Sequence, residues 1–201
     1  MAALRCAVRC PACQNPVIEN DAVCRHCGFT LEAADRHFGI APATTKPVTD
    51  LAQALSGSEK RKLERASLRL LNRFPQLDVA VVLVAVPPEI PLSVYLFWIF
   101  NRGQFSSASE SGGANHLVLF VIDTQCHRAA AMAGYGLEPF LPEAPLQICL
   151  NVYAQTSAQN GLATGITAFW KELDAQLTKV HLQIPRLFGL KTSADEAEGS
   201  F

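Results

Sequence analysis

Six consecutive residues, Leu117 to Ile122 (LVLFVI), are apolar and rich in β-branched and aromatic side chains, and nothing else in the chain restricts its fold as tightly. A run of this length without polar alternation predicts a strand covered on both faces, inside a sheet. Asp123-Thr124-Gln125-Cys126-His127 supplies a polar turn, and Arg128 to Met132 returns as a short strand of small residues, so the pair reads as a β-hairpin. Gly134-Tyr135-Gly136 follows. These glycines permit positive φ or close backbone approach, which lets the chain leave the sheet sharply and present Tyr135 and Glu138 at its rim. The structural alternative is a tight turn with Tyr135 capping the core.

A second continuous apolar run, Val79 to Val86 (VAVVLVAV), lies between two helical patterns. The first opens on Ser56-Gly57-Ser58-Glu59, a capping box, and ends near Phe74-Pro75; the second covers Leu92 to Phe100. Strands alternating with helices predict an α/β domain with a mixed sheet. The first helix buries Leu63, Ala66, Leu70 and Phe74, and beside that stripe Arg61, Arg65, Arg69 and Arg73 recur every fourth residue. That row is a solvated face or a surface for an acidic protein or lipid headgroups. Arg102 to His116 is rich in Gly and Ser and predicts a mobile loop. After Pro139 and Pro142, helices are expected from Glu143 to about Ala158 and from Leu162 to Leu182. Residues 186–201 read as a flexible acidic tail.

Bulk charge excludes some functions. A net charge of −1 with 17% charged residues is not the profile of a nucleic-acid binder. No stretch reaches the ~20 apolar residues that span a bilayer. Val79 to Phe100 comes nearest but is interrupted by Pro87, Pro88, Glu89 and Pro91. The first ten residues, MAALRCAVRC, lack the apolar core of a secretory signal, which leads to the expectation of a cytoplasmic protein.

Five of the seven cysteines fall within the first 27 residues, four of them as Cys10-x-x-Cys13 and Cys24-x-x-Cys27. Two such knuckles offer four thiolates to one tetrahedral Zn²⁺, and about 30 residues hold too little core to fold without a staple of this kind. Disulfides or a redox pair are the alternative, disfavoured in a reducing compartment. The stretch RCPACQNPVIENDAVCRHCGFTL, with Pro11 inside the first knuckle and Gly28 after the second, resembles the short zinc ribbons. The resemblance implies Cys10, Cys13, Cys24 and Cys27 as ligands, with His26 facing solvent and Cys6 a spare thiol. Leu31 to Phe38 can make one helical turn or two, and a Pro/Thr/Ala-rich linker without periodicity, GIAPATTKP (Gly39 to Pro47), follows.

From Val48 to about Val180 the chain resembles the TPM domain family. The resemblance rests on VTDLAQALS, VAVVLVAV and VYLFWIFNR, and above all on LVLFVID followed by AGYGLE and a helical pair. It implies a small mixed sheet between helices, and plant members of the family are described as acid phosphatases. The motif positions it carries over are Asp50, Asn115, Gly134, Tyr135, Gly136 and Glu138. Two positions depart from the pattern: Ala114-Asn115-His116 stands where the family has Asp-Asn-Gly, and Glu143 where an Asp is common. Many members are also exported or membrane-tethered, and this sequence shows neither signal nor anchor.

The sequence therefore predicts a zinc ribbon (1–32), a linker (33–47), a TPM-like domain of α/β/α layers (48–185) and the tail. Two functions follow from different classes. One is a protein-interaction or regulatory module using the Arg61 row and the binding rim of Asn115, Gly134, Tyr135 and Gly136, with a protein partner. The other is a phosphatase in which Asp50, Glu138 and Glu143 hold Ca²⁺ or Mg²⁺, although phosphoryl transfer asks for more carboxylates than remain.

Overall fold

The computed structural model describes residues 8–18, 21–44, 46–105 and 113–187. Cys6, residues 106–112 of the Gly/Ser loop and nearly all of the expected acidic tail lie outside the described residues. In chain order the strands and helices are β1 (Val8–Arg9), β2 (Pro16–Val17), α1 (Leu31–Phe38), β3 (Ala43–Thr44), β4 (Val48–Asp50), α2 (Gly57–Arg73), β5 (Asp78–Val84), α3 (Leu92–Arg102), β6 (Gln104–Phe105), β7 (Leu117–Asp123), β8 (Arg128–Ala133), α4 (Glu143–Asn160) and α5 (Leu162–Leu187). The chain is thus α/β, with a mixed sheet between helices and four close cysteines that fit a small zinc ribbon.

The principal sheet has the order β4-β5-β7-β8, with β4, β5 and β7 parallel and β8 antiparallel to β7. All seven residues of β7 are buried: Leu117 to Ile122, as their unbroken apolar pattern requires, and Asp123, whose carboxylate is paired with Arg128. Period-two alternation then sorts the strand residues between two cores. Val79, Val81, Leu83, Val118, Phe120 and Ile122 face α2, α4 and α5, where Phe120 stacks on Phe169 at 4.0 Å between ring centroids. Ala80, Val82, Val84, Leu119 and Val121 face α3 and, beyond it, α1.

The crossover from β4 to β5 uses α2 on one face, and the crossover from β5 to β7 uses α3 on the other, while both advance the same way along the sheet. The two crossovers are therefore of opposite hand, and one departs from the right-handed rule.

Local chemistry sets the element boundaries. Ser56 and Glu59 form the reciprocal capping box at the start of α2. The buried stripe of α2 includes Ser67, which satisfies its hydroxyl by donating to the Leu63 carbonyl at 3.1 Å. Within the segment 33–47, expected as the linker, the short helix read from Leu31 to Phe38 is present and the stretch after it contains β3. Residues 33–38 complete α1, whose Asp35 accepts from Trp98 Nε1 at 3.0 Å and pairs with Arg102 at 2.7 Å. Phe38 packs against Tyr95 and Trp98 of α3, and β3 pairs in parallel with β6. The reason is chemical: Ala34 is buried and Phe38 half-buried on one side of α1, a face too apolar to be left in water.

The ribbon touches the same helix. Ser93 at the start of α3 donates to the Pro11 carbonyl at 2.6 Å, and Phe29 meets Phe97 edge-on.

Candidate functional site

The four ribbon cysteines converge. Cys10 and Cys13 lie on the turn after β1, and Cys24 and Cys27 on a second turn. The loop hydrogen bonds Gln14 N to Cys10 O and Gly28 N to Cys24 O bend each turn back on itself. Gly28 occupies the left-handed region (φ 73), which explains a glycine after the second knuckle. All four sulfurs fall within 4.8 Å of one another. Cys10 to Cys27 and Cys13 to Cys24 are 3.7 and 3.8 Å. Four sulfurs at ~2.3 Å from a tetrahedral centre stand about 3.8 Å apart, whereas a disulfide requires ~2.05 Å. The donor set therefore fits one thiolate-bound divalent metal.

Its electrostatics agree. The Asn15 backbone N–H and amide lower the Cys13 thiol to about 6, and the Cys27 and His26 N–H groups lower Cys24. Burial raises Cys10. At Cys27 the Phe29 N–H acts downward, but burial and the three neighbouring sulfurs outweigh it and push the thiol up to about 12. Thiols packed this closely cannot all ionise on their own, and a divalent cation removes that penalty.

The residues singled out in the second domain are divided between opposite ends of the sheet. At the amino end of β7, a 3-10 turn (Gly113–His116) holds Asn115, and a second one (Tyr135–Leu137) leaves β8. Gly134 and Gly136 are required there by proximity rather than by φ. A Cβ on Gly134 would sit 2.1 Å from the Ala114 carbonyl oxygen and 2.5 Å from that of Asn115. One on Gly136 would sit 2.7 Å from the His116 ring. Tyr135, Glu138 and Asn115 are exposed at this rim, as is Glu143 in the first turn of α4. A small cleft of about 150 Å³ beside it is lined by Phe74, Leu77, His116, Leu137, Phe140 and Leu177.

Asp50 lies at the carboxyl end instead. It is in register with Leu83, which is in register with Ile122. With ~3.3 Å per residue along strands and ~4.8 Å between them, Asp50 and Ala133 are about 20 Å apart, and Glu138 lies beyond Ala133. The Asp50 carboxylate is also fully engaged, accepting from Ala54 N and Leu55 N at 3.0 Å each and pairing with Lys60 at 3.0 Å. Burial acts to raise its pKa, but these partners outweigh it and hold it below the usual carboxylate range. The structure does not bring Asp50, Glu138 and Glu143 together. Among the described residues, the four cysteines are the only group of three or more His, Cys, Asp or Glu side chains disposed to hold a metal.

Sequence reasoning gave no role to Asp123 and Arg128. Asp123, fully buried at the end of β7, accepts from Val86, Gln125 and Cys126 N–H groups on one oxygen and twice from Arg128, at 2.9 and 2.7 Å, on the other. Arg128 also donates to carbonyls in the loop after β5, among them Ile90 at 2.9 Å. The signal available was an Asp ending one apolar run and an Arg opening the next, which hairpin register places opposite each other. Next to this pair, a cleft of about 780 Å³ opens between the hairpin and α4, lined by Ile122, Asp123, His127, Asn151, Tyr153 and Ser157 among others.

No curated protein matches the chain. Among the solved structures similar to this chain are two N-terminal domains, the first of which shares its fold. The N-terminal domain of a protein from P. gingivalis is 20% identical, covering 68% of this chain and 84% of that one at a TM-score of 0.51. An N-terminal domain from Corynebacterium glutamicum is 15% identical, covering 65% and 78% at 0.49. The family model for the TPM domain matches residues 48–176, most of the chain and all of the principal sheet, and the protein belongs to the TPM domain family.

Proposed function

We propose that this chain is a zinc-ribbon TPM protein acting as a protein-interaction or regulatory module rather than as a phosphatase. The observation that carries the reading is the fate of the acidic motif positions. Asp50 is consumed by Ala54, Leu55 and Lys60, some 20 Å from the rim that holds Glu138. Ala114 stands where the family has an aspartate, and its carbonyl is packed against Gly134. What remains at the rim is Glu138 and Glu143, both exposed. A Ca²⁺ or Mg²⁺ site needs about six oxygen ligands, and two solvated carboxylates do not assemble one.

Zinc is the metal proposed for the ribbon, because four thiolates at tetrahedral spacing select it over hard cations. Its role is structural: all four positions are filled by protein, leaving none for a substrate. None of the described cysteines is in a disulfide, which suits a reducing compartment such as the cytoplasm. No described helix is long and apolar enough to cross a membrane.

Hydrolysis of a generic phosphate monoester, assayed with Mg²⁺ and with Ca²⁺, tests the reading. The expected result is no turnover above background, and no gain on restoring the missing carboxylate with Ala114→Asp. Robust turnover abolished by Glu138→Gln would make the chain an enzyme.

A further inference from the structure

The outer surface of the helical layer carries charge that neither core nor metal centre uses. α2 contains six cationic side chains and two carboxylates, in a chain of net charge −1. Its buried stripe is Leu63, Ser67 and Leu70. At 3.6 residues per turn the opposite line carries Arg61, Arg65, Leu68 and Asn72, flanked by Lys62 and Arg69. All six are exposed, and Leu68, at 50%, stands among the arginines.

Lys60 and Arg73 are held by Asp50 and Asp174. Arg61, Lys62, Arg65 and Arg69 form no ion pair among the described residues. The Arg73–Asp174 bridge, at 2.6 Å, ties α2 to α5, so the two helices present one outer face. On α5 that face adds Lys171, Lys179 and Leu182, the last 64% exposed. None of these residues lines either cleft. The unpaired cations are spread over two helices rather than gathered at one point, and the partner that their charge suits is broad and anionic.

We propose that the α2–α5 face docks the protein reversibly on an anionic lipid surface. The arginines and lysines meet headgroup phosphates and carboxylates, while Leu68 and Leu182 reach the boundary with the acyl chains. Basic side chains add roughly equal increments near an anionic leaflet, and isolated apolar side chains add a little more, which gives weak, salt-sensitive binding rather than stable anchoring. This rests on the non-catalytic reading above but fails separately from it, since the hydrolysis assay involves no lipid.

The test is co-sedimentation of the full chain with vesicles that are roughly one-third phosphatidylserine in phosphatidylcholine, against phosphatidylcholine alone, at about 50 mM salt. Binding to the anionic vesicles only, lost as salt rises to about 500 mM, is expected. The triple change Arg61→Gln, Arg65→Gln, Arg69→Gln should reduce partitioning about a hundredfold, and Leu68→Ser several-fold. These positions are exposed, so an unchanged unfolding transition certifies the variants. Arg→Lys at the same three positions should keep the binding, because a lipid surface reads charge and not the guanidinium fork. Absence of vesicle binding, equal binding to neutral vesicles, or loss of binding in the Arg→Lys variant would each overturn the proposal. So would binding to single-stranded RNA or to a polyglutamate peptide in place of the anionic vesicles.

Discussion

The buried pair Asp123–Arg128 gives the sharpest quantitative expectation. Asp123→Asn preserves shape and keeps an oxygen for the Val86, Gln125 and Cys126 N–H groups, but it turns an amide NH₂ toward the Arg128 guanidinium. Two charge-assisted hydrogen bonds, each contributing about 1.5–3 kcal/mol, are lost. Stranding a fully buried cation would cost about 3–5 kcal/mol. The Arg128 side chain is 30% exposed and retains carbonyl partners at Val86 and Ile90, so the lower end applies. A loss of about 3 kcal/mol follows, or roughly 6–12 °C in Tm for a chain of this length. Urea unfolding with an unchanged m-value measures it. Arg128→Met, alone and combined with Asp123→Asn, closes a double-mutant cycle whose coupling should be about 2 kcal/mol. The acid limb provides a second reading. Burial works to raise the Asp123 pKa, but Arg128 and the backbone N–H groups outweigh it, so the folded-state pKa lies below the unfolded one. Its stabilisation is therefore complete above the unfolded value of ~3.9 and is lost as pH falls through the depressed folded value. Asp123→Asn should flatten that limb. A loss under about 1 kcal/mol together with a coupling near zero would refute the assignment of the hairpin lock to this pair.

Gly134→Ala should cost about 3 kcal/mol or more in urea unfolding, because the new Cβ would meet backbone oxygens of Ala114 and Asn115 rather than movable side chains. The purified protein should carry one zinc per chain by elemental analysis, and Cys10→Ser with Cys24→Ser should abolish it; unchanged zinc content would remove the ribbon assignment. Deleting residues 1–45 should lower stability by about 3–5 kcal/mol and red-shift tryptophan emission, since Phe38 and the Asp35 acceptor leave Trp98, whereas deleting only 1–29 should cost less. Equal effects from the two deletions would show that α1 contributes nothing to the core.

The apolar runs were legible because burial on both faces leaves no polar position in a strand, and β5 and β7 have none between Val79 and Ile122 at their buried positions. The capping box and the cysteine spacing were legible because both are local chemistry. The docking of α1 was not, since Gly39 to Pro47 reads as a linker whether or not the preceding helix is packed; only Trp98 and Arg102, more than 60 residues later, reveal the partners of Asp35. The rim glycines are compatible in sequence with two uses, and the structure selects one: Gly134 has φ −71, so proximity and not a left-handed backbone requires it. The separation of Asp50 from Glu138 was hidden for a topological reason, because motif order along the chain says nothing about which end of a parallel sheet a residue reaches.

That topology bears on how chemistry can be distributed over this molecule. In an open sheet of parallel strands, loops at the carboxyl ends are where ligand sites usually form. Here two of those ends terminate in Asp50 and Asp123, and each carboxylate is already paired with a cation and several backbone N–H groups. At the amino ends, the family's glycine motif closes two 3-10 turns onto each other, leaving no room for a side chain between them. Both ends of the sheet are thus stitched by short-range contacts, and the acids that remain unengaged are scattered and solvated. The described groups still free to act in concert are the four thiols, which a metal would saturate, and the unpaired basic row on the outer side of α2, in the helical layer that covers one face of the sheet. A surface of that kind recognises by charge over an area, so the binding it supports should depend steeply on salt and weakly on the identity of any single side chain.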